Sequence, residues 1–377
     1  MKPRFVATTL LLLSLLTACA STESGPEVTP QAARKTNAAR AIASYAALQE
    51  NFSNNNGLYL EEYPNETDNA YSYVWPFSQA LTASVDMTAL PRGERYQRDV
   101  TRSLAALELY WNAETTPAGY DSYVRPPQGG GGDKFYDDNE WLGLEFLRLY
   151  KQTHKASYLA KAKAIFKLIV YGWDDDASHP CPGGVYWTQA SWSQDRNTIS
   201  NAPGAQIGAQ LFEITGDSSY LEWAKRMVSW VDGCLKAPNG LYWDNIKLDG
   251  SIDKTQWSYN QGMMLGAKVR LYRASGEKHY LKEAQKLAKT ALGYYGGAGR
   301  YYTQPARFNA IFFKNLLLLE REAHDPAYRK AMQAYADEVW RSARDPETNL
   351  FKFEVYKPVT LLEQAAMAQI YAALAAR

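Results

Sequence analysis

A pairing of helical segments, repeated six times along the 377 residues, constrains the fold of this chain more than any other feature. Five segments follow a polar or Gly-containing turn, carry a tyrosine in their first turn and continue amphipathically at helical spacing. Their tyrosines are Tyr96, Tyr158, Tyr220, Tyr280 and Tyr328. An earlier segment with the same pattern begins near Asn37, so the repeat predicts six amphipathic helices.

Six other helical segments alternate with these and contain more apolar or small residues and fewer charges. They read "YSYVWPFSQALTASVDM", "DDNEWLGLEFLRLYKQT", "NAPGAQIGAQLFEITG", "YNQGMMLGAKVRLYRASG", "ARFNAIFFKNLLLLEREA" and "LLEQAAMAQIYAALAA". Small residues such as Gly204, Gly208, Gly262 and Gly266 allow close approach of neighbouring helices. A repeat of about 60 residues is too long for a tetratricopeptide-like solenoid, which repeats every ~34 residues. We therefore predict an all-α fold, an (α/α)6 barrel or toroid of six helical hairpins, with the amphipathic helices outside.

The linkers differ according to their direction. Those that leave an inner helix are short, whereas those that lead into one are mostly long and rich in aromatic and polar residues. Long polar and aromatic loops gathered on one face of a rigid scaffold are where function is expected. The N-terminal ends of the inner helices are therefore predicted to line a cleft.

Two adjacent carboxylates, Asp137 and Asp138, stand at one of these helix starts, in "FYDDNEW". Asp137 and Glu140 have the spacing of a capping box, which leaves Asp138 without a role. Hydrolysis of a glycosidic bond needs an acid and a second carboxylate, about 5–5.5 Å apart in retaining enzymes. Neighbouring side chains on a helix diverge by roughly 100°, so this pair is a candidate for that separation.

Further candidates for contact with a sugar lie at the same helix starts and in the linkers. Exposed rings and amides suit the faces and hydroxyls of sugars, but each residue also has a structural alternative. Rings in inner helices also serve as packing residues, an amide can cap a helix, and an Asp after "GLYW" can be a turn residue. The candidates are Trp75, Trp141, Asn201, Asp244, Tyr259, Asn260 and Gln261.

The N-terminus has the pattern of a signal peptide over residues 1–19. Lys2 and Arg4 precede a short apolar run that ends in "LTAC", which resembles a bacterial lipobox and predicts lipidation of Cys19. An ordinary cleaved signal with an incidental cysteine is the alternative. The lipobox implies a lipid-anchored protein of the bacterial cell envelope, at the outer membrane or cell surface.

The rest of the sequence divides into a polar, proline-containing tether over residues 20–36 and a single domain over residues 37–377. Cys181 and Cys234 follow consecutive outer helices, so their linkers are predicted to be neighbours and the two residues to form a disulfide. The protein is predicted to be a monomer.

The charge composition argues against some classes of partner. The chain has 41 basic and 40 acidic residues and no basic block, so nucleic acid is not an expected partner. The four histidines have no metal-ligand spacing, and we expect neither a metal nor a cofactor. Aromatic residues make up 13% of the sequence, and many lie in segments rich in Gly, Asn and Pro, where they favour carbohydrate contact.

These segments together resemble glycoside hydrolase family 76, which contains bacterial and fungal α-1,6-mannanases and related cell-wall transglycosidases. The resemblance covers nearly all of the sequence after the signal peptide, through "YVWPFSQAL", "FYDDNEWLGLEFLRLYKQT", "ISNAPGAQIGAQLFEITGDSSYLEWA", "GLYWDN", "WSYNQGMMLGA" and "ARFNAIFFKNLLLLE". It implies an (α/α)6 barrel and catalysis with retention by the adjacent pair. Asp137 would be the nucleophile and Asp138 the acid/base residue.

The resemblance thus predicts a retaining α-mannosidic glycoside hydrolase, an endo-α-1,6-mannanase acting on α-mannan polysaccharide or manno-oligosaccharide. One alternative is a cell-envelope transglycosidase that uses the same site and a sugar hydroxyl in place of water. Another is a glycan-binding lipoprotein without turnover, which would need an incomplete acid pair.

Overall fold

The computed structural model describes residues 29–54, 56–354 and 356–376, and within them twelve α-helices form two concentric rings. The outer helices are α1 (Pro30–Phe52), α3 (Gln97–Leu107), α5 (Ala156–Tyr171), α7 (Ser218–Cys234), α9 (Lys278–Gly296) and α11 (Ala327–Ser342). The inner helices are α2 (Val74–Thr88), α4 (Tyr136–Thr153), α6 (Thr198–Thr215), α8 (Ser258–Ser275), α10 (Ala306–Ala323) and α12 (Leu361–Ala375). Short 3₁₀ helices lie at Gly93–Tyr96, Glu108–Tyr110 and Gly297–Thr303. The predicted (α/α)6 barrel is confirmed.

The ring of inner helices is closed. Each inner helix packs against the next, and α12 packs against both α2 and α1, so the two ends of the described residues meet. The contact between α8 and α10 requires glycine: a Cβ atom on Gly262 of α8 would lie 2.5 Å from the Cα atom of Phe312 on α10. A Cβ atom on Gly266 would overlap the side chain of Asn315. The predicted close approach at these two glycines is therefore confirmed.

The first helix begins earlier than the sequence pattern predicts. The Thr29 side chain accepts a hydrogen bond from the Ala32 N–H at 3.3 Å, and Pro30 occupies the first helical position. Proline is well suited to that position, because the N–H that it lacks would have no partner there. Residues 30–36 therefore belong to α1, and the prediction that they form part of a tether is wrong. The predicted signal peptide, Cys19 and the rest of the tether up to residue 28 lie outside the described residues.

Short antiparallel strands tie the long linkers together at one end of the barrel. They are β1 (Glu62–Tyr63), β2 (Trp111–Asn112), β3 (Gly119–Tyr120), β4 (Asp195–Asn197), β5 (Asn245–Lys247), β6 (Ile252–Asp253) and β7 (Val359–Thr360). β1 pairs with β7, β2 pairs with β3, and β5 lies between β4 and β6. Because β1 precedes α2 and β7 precedes α12, the β1–β7 pair joins the linkers at the point where the ring closes.

A buried amide at the fourth residue of five inner helices holds the preceding linker. Gln261 accepts the Tyr242 N–H at 2.8 Å through Oε1 and donates to the Tyr242 carbonyl oxygen at 2.9 Å through Nε2. Asn139 makes the same two bonds with Tyr120, at 2.8 and 3.0 Å. The remaining members are Asn201, Asn309 and Gln364. These amides fix the linkers as a rigid floor at the N-terminal ends of the inner helices.

The linker before α6 has two additional constraints. Cys181 and Cys234 form the predicted disulfide, with Cα atoms 6.1 Å apart. Beneath this linker, the Arg196 guanidinium is completely buried and lies 2.6 Å from an Asp174 carboxylate oxygen. Arg196 also donates to the Pro180 carbonyl oxygen at 3.1 Å, so one buried cation organises the turn that carries the disulfide.

Each helix that the structure describes is too short or too polar to span a bilayer. The apolar run "AIFFKNLLLLE" forms part of α10 and is buried in the inner ring around Lys314.

Candidate active site

The adjacent carboxylates are the second and third residues of α4. The helix starts at Tyr136, and its N-cap residue, Phe135, has extended backbone geometry and provides no side-chain cap. The Tyr136 N–H instead donates to the Trp187 carbonyl oxygen at 2.9 Å, because the linker before α6 runs alongside this helix start. The Asp137 and Asp138 side chains are thereby free for another role, and both are half-buried rather than enclosed.

The alternative of a capping box is wrong for this helix. Asp137 lies inside the helix, and Glu140 is completely buried beneath it, with neither carboxyl oxygen hydrogen-bonded to a described side chain. A Cβ atom added to Gly204 of α6 would lie 2.8 Å from Glu140 Oε1, which shows how tightly the carboxyl group is packed. Burial, and then the charge of Asp137, raise the pKa of Glu140 well above its usual range and favour its protonated form.

The groups around Asp137 act on its pKa in opposite directions. Burial raises the pKa of Asp137, and the nearby Asp244 carboxylate acts in the same direction. The N–H groups of Asp137 and Asp138 and the indole of Trp187 favour the ionised form and act against that rise. N–H groups at a helix N-terminus stabilise an anion, so the helix supports a carboxylate at Asp137.

The surroundings of Asp138 all act to raise its pKa. Burial raises it well above the usual range, and the charges of Asp137 and Glu61 raise it further, with no hydrogen-bond donor among the described residues to oppose them. Two adjacent carboxyls whose environments separate their proton affinities can hold opposite protonation states. The arrangement favours an ionised Asp137 beside a protonated Asp138.

Glu61 is a third carboxyl group at this site, and the sequence patterns do not identify it. It lies in the linker between α1 and α2, where a carboxylate oxygen accepts the Tyr73 N–H at 2.9 Å. Its backbone carbonyl oxygen accepts the Leu361 N–H at 2.9 Å, which joins the starts of α2 and α12. Burial raises the pKa of Glu61 to about 7. Only the folded path of the long linker brings this residue towards Asp138.

A stack of rings forms the wall contributed by α2, α8 and α10. Tyr259 stacks on Phe308 with ring centroids 3.9 Å apart, and Trp75 lies nearly parallel to Phe308 at 6.2 Å. Arg307 lies over the Phe308 ring at 5.1 Å and forms an ion pair with Glu363 of α12. Trp75 is half-buried, so one part of this wall remains available to a ligand.

Asp244 lies at the cleft, as predicted, and its neighbours orient it. Asn260 donates to Asp244 Oδ1 at 2.9 Å and Asn245 donates to Oδ2 at 3.1 Å. Burial raises the pKa of Asp244, while these two amides favour the ionised form. Asp244 also raises the pKa of Asp137 and of Tyr259, which places all three in one electrostatic cluster. Asn260 itself is completely buried and positions Asp244.

Three of the predicted sugar contacts also have structural roles. Asn201 accepts the Val185 N–H at 3.0 Å and donates to the Asn197 carbonyl oxygen at 2.8 Å. Gln261 holds the Tyr242 backbone, and both amides are completely buried. Trp141 is only 6% exposed and lines a cavity inside the barrel, towards the C-terminal ends of the inner helices. The two amides thus hold linker backbone and the Trp141 ring faces the cavity inside the barrel, and the contact of these residues with sugar stays a prediction.

Half-buried carboxyls and aromatic rings lie together at this end of the barrel. Among the described residues, no set of three or more His, Cys, Asp or Glu side chains is placed to hold a metal ion. A carboxylate beside a protonated carboxyl group can combine nucleophilic attack with proton donation. Flanking rings and fixed polar groups can hold a sugar above the pair.

Comparison with known proteins adds a family and a fold. The family model described as glycosyl hydrolase family 76 matches residues 31–376. The chain is 25% identical over 228 residues to the mannan endo-1,6-α-mannosidase DCW1 of Saccharomyces cerevisiae, a match that covers 55% of this chain and 44% of that protein. This chain therefore spans less than half the length of that curated relative.

Two solved bacterial structures share the fold. A family 76 glycoside hydrolase (mannosidase) from Bacteroides thetaiotaomicron matches with a TM-score of 0.79 and 23% identity, over 90% of this chain and 98% of that chain. An inactive variant of the α-1,6-mannanase from Salegentibacter, with two consecutive aspartates changed to asparagine, was solved with α-1,6-mannotriose. It matches with a TM-score of 0.74 and 23% identity, over 90% of this chain and 99% of that chain.

The curated relatives correct the predicted location. They come from fungi, including Saccharomyces cerevisiae and Schizosaccharomyces pombe, and so indicate a eukaryotic source. The prediction of a lipid-anchored protein in a bacterial cell envelope, at the outer membrane or cell surface, is contradicted by this finding.

Proposed function

We propose that this chain, which belongs to glycosyl hydrolase family 76, hydrolyses α-mannosidic linkages and cleaves within α-1,6-mannan chains. The observation that carries the proposal is the half-buried pair Asp137 and Asp138 at the start of α4, free of any capping role. The curated relatives are named mannan endo-1,6-α-mannosidases, and the solved Salegentibacter enzyme is an α-1,6-mannanase that is inactive when two consecutive aspartates are replaced.

The reaction proceeds in two steps with retention of configuration. In the first, the Asp137 carboxylate attacks the anomeric carbon while Asp138 donates its proton to the departing glycosidic oxygen, which leaves a mannosyl ester on Asp137. In the second, Asp138 accepts a proton from water as that water attacks the anomeric carbon, and the Asp137 carboxylate is released.

The assignment of the two roles has physical support in the surroundings of each carboxyl group. N–H groups and an indole favour the anion at Asp137, as a nucleophile requires. Two neighbouring anions favour the protonated form at Asp138, as an acid requires. Their adjacency on one helix suits the short carboxyl separation of retaining enzymes, about 5–5.5 Å.

The surroundings of the pair suit a polymeric substrate. Trp187 lies on the side of the α6 linker and Trp75 on the side of α2, and both rings are half-buried. Aromatic groups on two sides of a cleavage point can hold sugars before and after the bond that breaks. Cleavage within a polysaccharide needs such contacts on both sides.

The products formed from α-1,6-mannan test this proposal. We expect purified protein to release a ladder of manno-oligosaccharides at early times, separable by size, because an endo-acting site binds internal units of the polysaccharide. Products longer than a defined oligosaccharide substrate would show transfer to a sugar hydroxyl, and thus the transglycosidase. The absence of any new product would contradict both activities.

The pH profile depends on Glu61 in a defined direction. Asp138 must be protonated to act as the acid, so kcat/KM falls as pH rises through its pKa. The Glu61 charge raises that pKa, and Glu61→Gln should therefore move the alkaline limb to lower pH. The acid limb should move less, because the carboxylate that most raises the pKa of Asp137 is Asp244 and not Glu61. The measurement is kcat/KM across the pH range.

The matched control for this change is Glu66→Gln, an exposed residue of the same linker, which should leave both limbs unchanged. Glutamine at position 61 keeps an oxygen for the Tyr73 N–H, so the helix start is preserved. A rise in KM with an unmoved alkaline limb would show that Glu61 contacts substrate instead of tuning Asp138.

A further inference from the structure

The inner helices enclose a second cavity, of about 1070 Å³, at the end of the barrel opposite the carboxyl pair. Its walls run from the middle of the inner helices to their C-terminal ends, and Ala89, His324 and Pro326 of two short linkers also line it. Seven lysine and arginine side chains line it, against four carboxylates. The two ends of the barrel therefore differ in charge, with acidic groups at the helix starts and an excess of basic groups here.

Most of the basic groups in this cavity have carboxylate partners. In such pairs the two charges largely balance each other, while the N–H groups of the cation that its partner does not use stay available as donors. The pairs are Arg148–Asp86, Lys314–Asp86, Lys151–Glu213, Arg273–Glu322 and Arg329–Glu320.

Arg270 of α8 differs from these groups. Its Nε atom is inaccessible to solvent and has no hydrogen-bond partner among the described residues, and the guanidinium forms no ion pair with them. Burial lowers the pKa of Arg270 to about 10, the charges of Arg273 and Arg321 act in the same direction, and the more distant carboxylates of Glu213 and Glu322 act against them without forming an ion pair. The group is thus charged at neutral pH, beside like charges and without an ion-pair partner among the described residues.

The helix dipoles explain only part of this arrangement. Lys151, Arg273 and Arg321 lie in the last turns of α4, α8 and α10, where a cation stabilises the negative end of the helix. Arg270 lies before the last turn of α8 and faces the cavity. A partly buried cation without a partner costs free energy, and like-charged neighbours add to that cost.

We propose that this cavity binds a phosphate or sulfate group, held by Arg270 with Lys151, Arg273 and Arg321 around it. A guanidinium presents two parallel N–H donors to such an oxyanion, and ammonium and guanidinium groups from three helices line the same cavity. A bound dianion would supply the counter-charge that Arg270 lacks among the described residues.

The dimensions of the cavity admit more than a bare ion. Apolar side chains, including Leu144, Leu318 and Ala372, form part of its wall beside the basic groups. The oxyanion can therefore be inorganic phosphate or sulfate, or the phosphate group of a small monoester. The charge recognition is the same for both sources, and the size of the ligand distinguishes them.

Thermal unfolding and titration calorimetry of the full-length protein test the proposal. At constant ionic strength, replacement of chloride by phosphate should raise the Tm by about 2 °C, because a ligand of the folded state stabilises it. Arg270→Gln should remove this shift and weaken phosphate binding at least about tenfold, through loss of a charge-assisted hydrogen bond. In chloride, the same variant should keep its Tm or gain slightly, since the change removes an uncompensated cation.

The matched control is Arg341→Gln, on the exposed surface of α11 and outside the cavity, which should retain the full response to phosphate.

Titration with glucose 6-phosphate assigns the source: tighter binding than inorganic phosphate indicates a monoester, and equal binding indicates the free anion. If Arg270→Gln fails to fold, Arg321→Gln carries the test, because it lies on the exposed rim and must also weaken binding. No phosphate-dependent shift in the wild type, or an equal shift in Arg270→Gln, would overturn the proposal.

Discussion

Replacement of Asp137 or Asp138 by asparagine is expected to lower kcat by about 10⁴-fold while leaving the Tm close to that of the wild type. Each change removes a chemical function, nucleophile or acid, and neither residue caps the helix or carries a described ion pair. The measurement is kcat on α-1,6-mannan together with thermal unfolding. Asp133→Asn, an exposed carboxylate in the linker just before α4, is the matched control and should keep full activity.

Added azide distinguishes the nucleophile from the acid/base residue in this pair. With a substrate that has an activated aryl leaving group, Asp137→Ala plus azide should give a mannosyl azide of inverted configuration, because the small anion replaces the missing nucleophile. Asp138→Ala plus azide should give the retained configuration, because azide then attacks the ester on Asp137. Near wild-type hydrolysis by both single variants would show that the pair is not catalytic.

Replacement of Arg196 by methionine is expected to lower the free energy of unfolding by about 3–5 kcal/mol. The change leaves the Asp174 carboxylate buried without its main counter-charge, since the two side chains are 0% and 2% exposed and 2.6 Å apart. It also removes donors to the backbone carbonyl oxygens of Pro180 and Lys247, which hold the disulfide-bearing turn to β5. Denaturant unfolding monitored by fluorescence measures the loss.

The control for this change is Arg98→Met on α3, an exposed arginine, which should cost less than about 0.5 kcal/mol. The double change Arg196→Met with Asp174→Asn should recover part of the loss, because it removes the uncompensated buried charge. A cost for Arg196→Met as small as that of the control would show that the buried pair does not stabilise the linker.

The alternation of amphipathic and apolar helices is enough to predict the barrel. A closed ring needs only the repeating periodicity and the contrast between short and long linkers, and both are local properties of the sequence. The start of α1 is harder to predict, because Pro30 fits a flexible tether as well as a helix start. At the first position of a helix proline has no cost, and Thr29 supplies the cap.

The site is predictable where chemistry is encoded in neighbouring residues, as it is at Asp137 and Asp138. A site residue cannot be predicted from sequence where its side chain suits a structural role as well as a ligand contact. The side-chain amides of Asn201 and Gln261 form hydrogen bonds with backbone groups of the linkers. This role becomes visible only when the fourth residues of the inner helices are compared with one another. Glu61 has no sequence signal, because its approach to Asp138 depends on how a long linker folds over two helix starts.

The anomeric configuration of the first product formed by the wild-type protein tests the catalytic role of the carboxyl pair most directly. Proton NMR of an α-1,6-manno-oligosaccharide digest, recorded before mutarotation, distinguishes the α-anomer from the β-anomer. Retention through Asp137 and Asp138 predicts that the α-anomer appears first. Initial release of the β-anomer would contradict that mechanism, because inversion requires carboxyls about 6.5–9.5 Å apart and a base other than the adjacent partner.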